Sequence, residues 1–439
     1  MKAKFFLNWV LLLLLQSQLA RGQTLEVLHF FQGQDGSSPS AGLTLGSDGN
    51  FYGATVSGGA NNHGAVFRMT PSGTLTVLHS FALDASDGDS PGTSPVEGTN
   101  GLFYGTANLY FYSVSSGGAF SNLGPGAGGW SNSGLLRGRD GTFYGVNDSR
   151  VYQLSPDGST ATLYTFPFHG ALQFYPSLLE SGDGALYGVD ENGGTNSEGM
   201  VFKFTRTPGD VGDRFTDLVD FNFYNGSSPT AGLIQGSDGN FYGTTRNGAP
   251  NNYGTVFRMT PSGDLTTIFA FHGTDGSGPE ALVQASDGNF YGTTSGGGGH
   301  NAGTVFRLTP EGVLTTLCSF MGTNGSNPQA GLVQGLDGHL YGTASQGGIV
   351  DSGNSSGYGT VFRVVLAPVF EAPTVANGSI TFAWQIMPGQ TYQLQYSADL
   401  VNWSNLGAPV TATASRVSFS ELAGANPQRF YRVQLTMSP

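Results

Sequence analysis

Six side chains at matching points along the chain could recognise a ligand: Asn62 and His63, Asn252 and Tyr253, His300 and Asn301. Amide, imidazole and phenol groups side by side suit a hydroxyl-rich ligand such as a polysaccharide, because each exchanges hydrogen bonds and the rings add an apolar face. Asn and Gly also build plain loops, and that reading competes at every one of these positions. Carboxylates offer two further candidates. Asp84, Asp87 and Asp89 cluster in one connection and could hold calcium, which takes several oxygen ligands, although no EF-hand spacing is present. Asp148, Asp190 and Glu191 are the acids to test for acid–base work on a polysaccharide. No Gly-x-Ser-x-Gly elbow, no phosphate-binding strand–helix unit and no histidine pair at metal-ligand spacing occurs. No residue is therefore assigned a catalytic or metal-binding role, and Cys318, alone in an apolar run, reads as a buried thiol.

What must position these residues is a repeat. Tyr-Gly pairs begin at Tyr52, Tyr104, Tyr144, Tyr187, Tyr242, Tyr291 and Tyr341, 40 to 55 residues apart. A period in that range with strand-like content predicts a seven-bladed β-propeller. The copy from Ala231 divides into four strands: Gly232 to Gln235, Asn240 to Thr245, Thr255 to Met259 and Leu265 to Phe271. Asp-Gly links the first two and Pro-Ser-Gly the last two, both hairpin signals because Gly accepts positive φ and Pro presets the first turn residue. Phe241 and Tyr242 are neighbours on one strand and so face opposite sides, as a sheet packed between two others requires. The repeating Asp of the Asp-Gly turns is accordingly read as turn chemistry, and Arg68, Arg258, Arg307 and Arg363 as braces between strands. Units two to four are degenerate.

The ends of the array match each other. Leu25 to Phe31 resembles the fourth strand of a repeat, and the seventh unit stops after its third strand, Thr360 to Val364. An extra strand at one end and a missing one at the other predict ring closure, which removes two exposed sheet edges. The links between second and third strands are long and dissimilar, whereas the other turns are tight and alike. Function tends to sit on variable loops over a rigid scaffold, so the six residues above become the candidate site.

The unit from Asp238 to Thr245, with Gly254 to Phe271, resembles the bacterial GloVer repeat over residues 24–365. Proteins carrying it are known as choice-of-anchor tandem repeat proteins. The resemblance implies an exported all-β propeller and carries over no catalytic residue. Beyond Pro368 and Pro373 the repeat ends, and alternating segments around Trp384 and Tyr431 predict a small β-sandwich resembling a fibronectin type III domain. Lys2 and Lys4 before an apolar run, then Ala20-Arg21-Gly22, read as a signal peptide that is too short to span a membrane. The expected organisation is a signal peptide over 1–22, a propeller over 23–366 and a sandwich over 367–439. Net charge is −13, from 17 basic and 30 acidic residues, which argues against nucleic acid and anionic membranes as partners. The expected function is non-enzymatic binding of polysaccharide or protein by an exported monomer at the cell surface, in the periplasm or outside the cell. A propeller lyase or hydrolase and a structural matrix protein are the alternatives.

Overall fold

The computed structural model describes residues 25–82, 87–125, 134–147, 150–165, 178–205, 215–366, 369–370, 374–376, 379–385, 391–399, 401–411, 416–422 and 430–436. The proposed signal peptide, Asp84 and Asp148 lie outside the described residues. Every element among the described residues is a β-strand. From Leu25 to Val364 they form seven four-stranded antiparallel sheets, each taking its strands in chain order except the last. The fifth is typical: Ile234–Gln235, Phe241–Thr245, Thr255–Met259 and Leu265–Ala270. Its first strand is shorter than its pattern predicts. Gly232 and Leu233 lie outside the ladder, which pairs Ile234 with Tyr242 and Gln235 with Phe241.

The Tyr-Gly pair is the packing unit. Tyr242 and its counterparts are buried, and Phe241 meets Tyr187 of the fourth sheet while Tyr242 meets Phe290 of the sixth, at ring separations of 4.3 and 4.1 Å. Tyr52 stacks on Phe103 at 3.6 Å and Tyr104 packs on Phe143 at 4.5 Å. Where Leu replaces Phe, Tyr144 clusters with Leu186 and Tyr291 with Leu340. Tyr341 of the seventh sheet then stacks on Phe51 of the first at 4.1 Å. The glycine makes room for the third strand. A Cβ on Gly243 would lie 2.5 Å from Cζ of Phe257, its cross-strand partner.

The Asp of the Asp-Gly turn has two jobs. Oδ1 of Asp238 accepts from the N–H of Asn240 at 3.1 Å, and Oδ2 accepts from the Tyr242 hydroxyl at 2.9 Å. The tyrosine hydroxyl is anchored in the same way to Asp48, Asp140, Asp183, Asp287 and Asp337. In the second sheet Asn100 donates its amide to Tyr104 instead. Burial pushes the Asp238 carboxyl up, but the bonds from Asn240 and Tyr242 outweigh that and hold it below the ordinary value.

Between sheets a second device recurs. The carbonyls of His63, Glu198, Tyr253, Ala302 and Tyr358 accept from the N–H of Ser90, Ser228, Gly278, Asn327 and Ser38 in the following sheet's lead-in. The glycine after each carbonyl touches the proline after each donor. A Cβ on Gly64, Gly254, Gly303 or Gly359 would lie 2.7 Å or less from the Cδ of Pro91, Pro279, Pro328 or Pro39. Tyr358 to Ser38 and Gly359 to Pro39 join the last sheet to the first.

Leu25–Phe30 pairs antiparallel with Thr360–Val364 and supplies the fourth strand of the seventh sheet. The Arg363 guanidinium donates to Glu26 Oε2 at 2.5 and 3.1 Å across that pair. Beyond residue 366, Ser379–Gln385 and Arg416–Leu422 pair in one four-stranded sheet, and Thr391–Ser397 and Phe430–Thr436 in another. Phe382 and Trp384 of the first cluster with Tyr392, Leu394 and Tyr431 of the second.

Candidate functional site

The six sequence-predicted residues lie in the loops that follow the second strand of the first, fifth and sixth sheets. Their asparagines build those loops. Asn62, Asn252 and Asn301 have φ of 63°, 56° and 54°, the left-handed region that Asn tolerates better than other side-chain-bearing residues. Oδ1 of Asn252 accepts from the N–H of Gly248 at 2.8 Å, and Oδ1 of Asn301 from that of Gly297 at 3.1 Å. Half of each of these two amides is therefore committed to the loop. Tyr253 and His300 are exposed and His63 is half-buried, so an aromatic and two imidazoles remain on the surface.

The carboxylates named from the sequence turn to local partners. Asp87 meets His79 Nε2 at 2.6 Å and accepts from the N–H of Ala82. Asp89 accepts from the Asn108 amide at 2.7 Å. Asp190 is fully buried at the end of strand Leu186–Asp190, with Oδ1 accepting from the N–H of Asn192 at 3.1 Å. Glu191 follows it and is half-buried. Burial pushes its carboxyl up, Arg246 pulls it back, and Asp190 pushes it up again.

Arg246 leads to a residue that no sequence motif marks. Glu280 is 6% exposed, in the strand Ser277–Gln284 of the sixth sheet. Burial pushes its carboxyl up to about 7, opposed by Arg246 and by Ser295. Its Oε1 has no hydrogen-bond partner. The Glu280 carbonyl accepts from the Thr244 hydroxyl, just as the carbonyls of Ala330 and Ala41 accept from Thr293 and Thr343. The Glu280 carbonyl thus stands where two other repeats place an alanine carbonyl. One signal was available: between Pro279 and Leu282 the chain has two residues, where Pro39 to Leu43, Pro229 to Leu233 and Pro328 to Leu332 have three. That shortening turns the usual two-residue first strand into one of eight, with a register shift between Pro279 and Leu282.

A cavity of about 370 Å³ opens between the first strands of sheets one to four, lined by Thr44, Leu45, Val96, Glu97, Leu136 and Arg137 among others. Its charged groups are occupied. Glu97 accepts from the N–H and hydroxyl of Ser47 at 2.8 and 2.5 Å, and Arg137 donates to the Glu97 carbonyl at 2.8 Å. Among the described residues no group of three or more His, Cys, Asp or Glu side chains is placed to hold a metal ion.

The model of the Gloeobacter/Verrucomicrobia repeat family matches residues 16–149 and 131–362. The chain belongs to that family. Among curated proteins no match is found to this Gloeobacter/Verrucomicrobia repeat protein. Among solved structures it is similar to a streptogramin B lyase at 16% identity and a TM-score of 0.57, over 79% of this chain and 98% of that one. A catalytically inactive virginiamycin B lyase from Staphylococcus aureus with quinupristin matches at 15% identity and 0.55, over 78% and 99%. A selenomethionine-substituted form of that lyase matches at 14% identity and 0.54, over 78% and 99%. At such identities the likeness shows the fold alone, an all-β, propeller-like arrangement of four-stranded sheets.

Proposed function

We infer that this repeat protein is an exported, non-enzymatic binding protein whose ligand is a polysaccharide at the cell surface or in the envelope. In this reading residues 1–22 are a signal peptide and 23–366 a monomeric seven-bladed ring that the N-terminal strand closes. The sheets beyond residue 366 are a fibronectin type III-like module. One observation carries the reading. Regular residues are spent on packing between sheets, while Tyr253, His300 and His63 are left on loops that differ from repeat to repeat. Hydroxyl-rich ligands are matched by such a mixture of rings and hydrogen-bonding groups.

A glycan array probed with the purified full chain tests this. Binding without product release is the expected result. A variant carrying His63→Ala, Tyr253→Ala and His300→Ala should lose the signal while keeping its melting temperature. Retained binding in that variant removes these loops from the site. Shortened oligosaccharides would support the rival reading of a polysaccharide-cleaving enzyme, which the raised carboxyl of Glu280 favours. A silent array would leave a structural role in the matrix.

A further inference from the structure

The cavity between the first strands lies where the repeat gives up one of its own fastenings. In sheets five to seven the residue paired with the start of the second strand is Gln235, Gln284 or Gln334. Oε1 of Gln284 and Gln334 accepts from the N–H of Ser237 and Ser286, in the Asp-Gly turn of the preceding sheet, at 2.8 and 3.0 Å. Nε2 of each donates to the carbonyl of Gly288 or Gly338 in its own turn. Glu97 and Glu180 hold the same register in sheets two and four. They accept from the N–H of Ser47 and Arg139 at 2.8 and 2.7 Å. Sheets one and three depart from this. Leu45 and Arg137 stand at that position, and neither side chain has an acceptor to offer. Both line the cavity.

Arg137 is the residue that gives the cavity its chemistry. Its Nη1 donates to the Glu97 carbonyl at 2.8 Å, which lays the guanidinium along the cavity wall from sheet three to sheet two. That bond takes one of five N–H groups and leaves the charge unmatched. No carboxylate among the described residues pairs with it, in a chain that carries 30 acids against 17 bases. The Glu97 carboxylate is turned to Ser47 of sheet one instead, at 2.8 and 2.5 Å. Most of the remaining lining is apolar, with Leu45, Val96, Leu136 and Leu178. A volume of about 370 Å³ falls in the range of small-molecule sites. One open guanidinium over aliphatic walls is the complement of one anionic group on an apolar body.

We propose that this cavity binds a small organic carboxylate. The planar fork of Arg137 receives the carboxylate through its spare N–H groups, and the leucine and valine side chains cover the apolar part. An amide of the same shape keeps the apolar contact but brings no charge, and acetate keeps the charge but has no body to bury. Leu45 and Arg137 precede the turn into the second strand, whereas His63, Tyr253 and His300 follow that strand. The carboxylate site is therefore separate from the loops of the polysaccharide reading, and stands or falls without it.

The test is calorimetry on the full chain at pH 7 with hydrocinnamate, hydrocinnamide and acetate. Hydrocinnamate should bind about tenfold or more tighter than either control, the scale of one charge-assisted hydrogen bond on one side and of a few buried methylenes on the other. Arg137→Gln should erase the preference for the acid over the amide. Three other sheets carry glutamine at this register, so the variant should fold and keep the parent melting temperature. An undiminished preference in the Arg137→Gln protein overturns the site. Equal binding of acid and amide, acetate binding as tightly as hydrocinnamate, or no binding of hydrocinnamate overturns it as well.

Discussion

At Glu280 the ordinary carboxyl value of 4.5 is raised to about 7 by burial, so the folded state holds a proton that the unfolded chain releases. The sign follows. A raised folded value contributes stability that is fully present below about 4.5 and is lost as pH rises through 7. Glu280→Ala removes this liability together with the unpaired oxygen. The substitution should raise the melting temperature, with a larger gain at pH 8 than at pH 5. The widening is worth on the order of 1–3 kcal/mol. Melting curves of both proteins across that range check it, and a gap that narrows towards pH 8 refutes it. The opposite sign is expected at Gly243. A methyl group there would press on Phe257 in a closed interface, so Gly243→Ala should destabilise by about 1–3 kcal/mol by chemical denaturation. A neutral result would show that the Phe257 ring can step aside.

Single strands carry the next level of organisation. Leu25–Phe30 begins the described chain yet completes the sheet formed by its last repeat, and the pair of Arg363 with Glu26 ties the two ends together. Deleting residues 23–32 would leave Thr360–Val364 as an unpaired edge and remove Phe31, which is buried against Phe67. Melting of the truncated chain should shift as one transition, well below the full-length value. Loss confined to a minor early transition would mean that the strand decorates one sheet only. This strand and the strand order of each repeat were legible in the sequence, because apolar alternation and turn residues act over a few neighbours. The site was legible only in part. Asn62, Asn252 and Asn301 stood out by residue type, but their left-handed backbones are properties of the loops, which spacing alone does not separate from ligand chemistry. Glu280 carries no motif at all. Its significance comes from Arg246, in the preceding sheet and 34 positions away in sequence, and from a one-residue deletion that only comparison among repeats reveals.

Taken as a whole, the molecule repeats one contact from sheet to sheet, an aromatic second strand against the next, and the contact between Tyr341 and Phe51 is made between the two ends of the chain. This gives a mechanical test of closure. In a ring every junction is bounded by sheets on both sides, and breaking any one opens the whole. Tyr341→Ala at the junction of last and first sheets should then cost about as much as Tyr242→Ala at the junction of fifth and sixth, roughly 3–5 kcal/mol each for a buried aromatic. Both variants should unfold in a single transition seen alike by tyrosine absorbance and far-ultraviolet dichroism. An open array behaves otherwise. Its terminal sheets fray independently, as in solenoids where each repeat answers only to its neighbours, so Tyr341→Ala would cost little and split the transition in two. In a closed ring the paired loss would also bear on the proposed function, because the loops holding Tyr253, His300 and His63 would keep their relative positions only while the ring is shut. A Tyr341→Ala protein should then lose the proposed polysaccharide binding in step with its melting, although Tyr341 belongs to none of those loops.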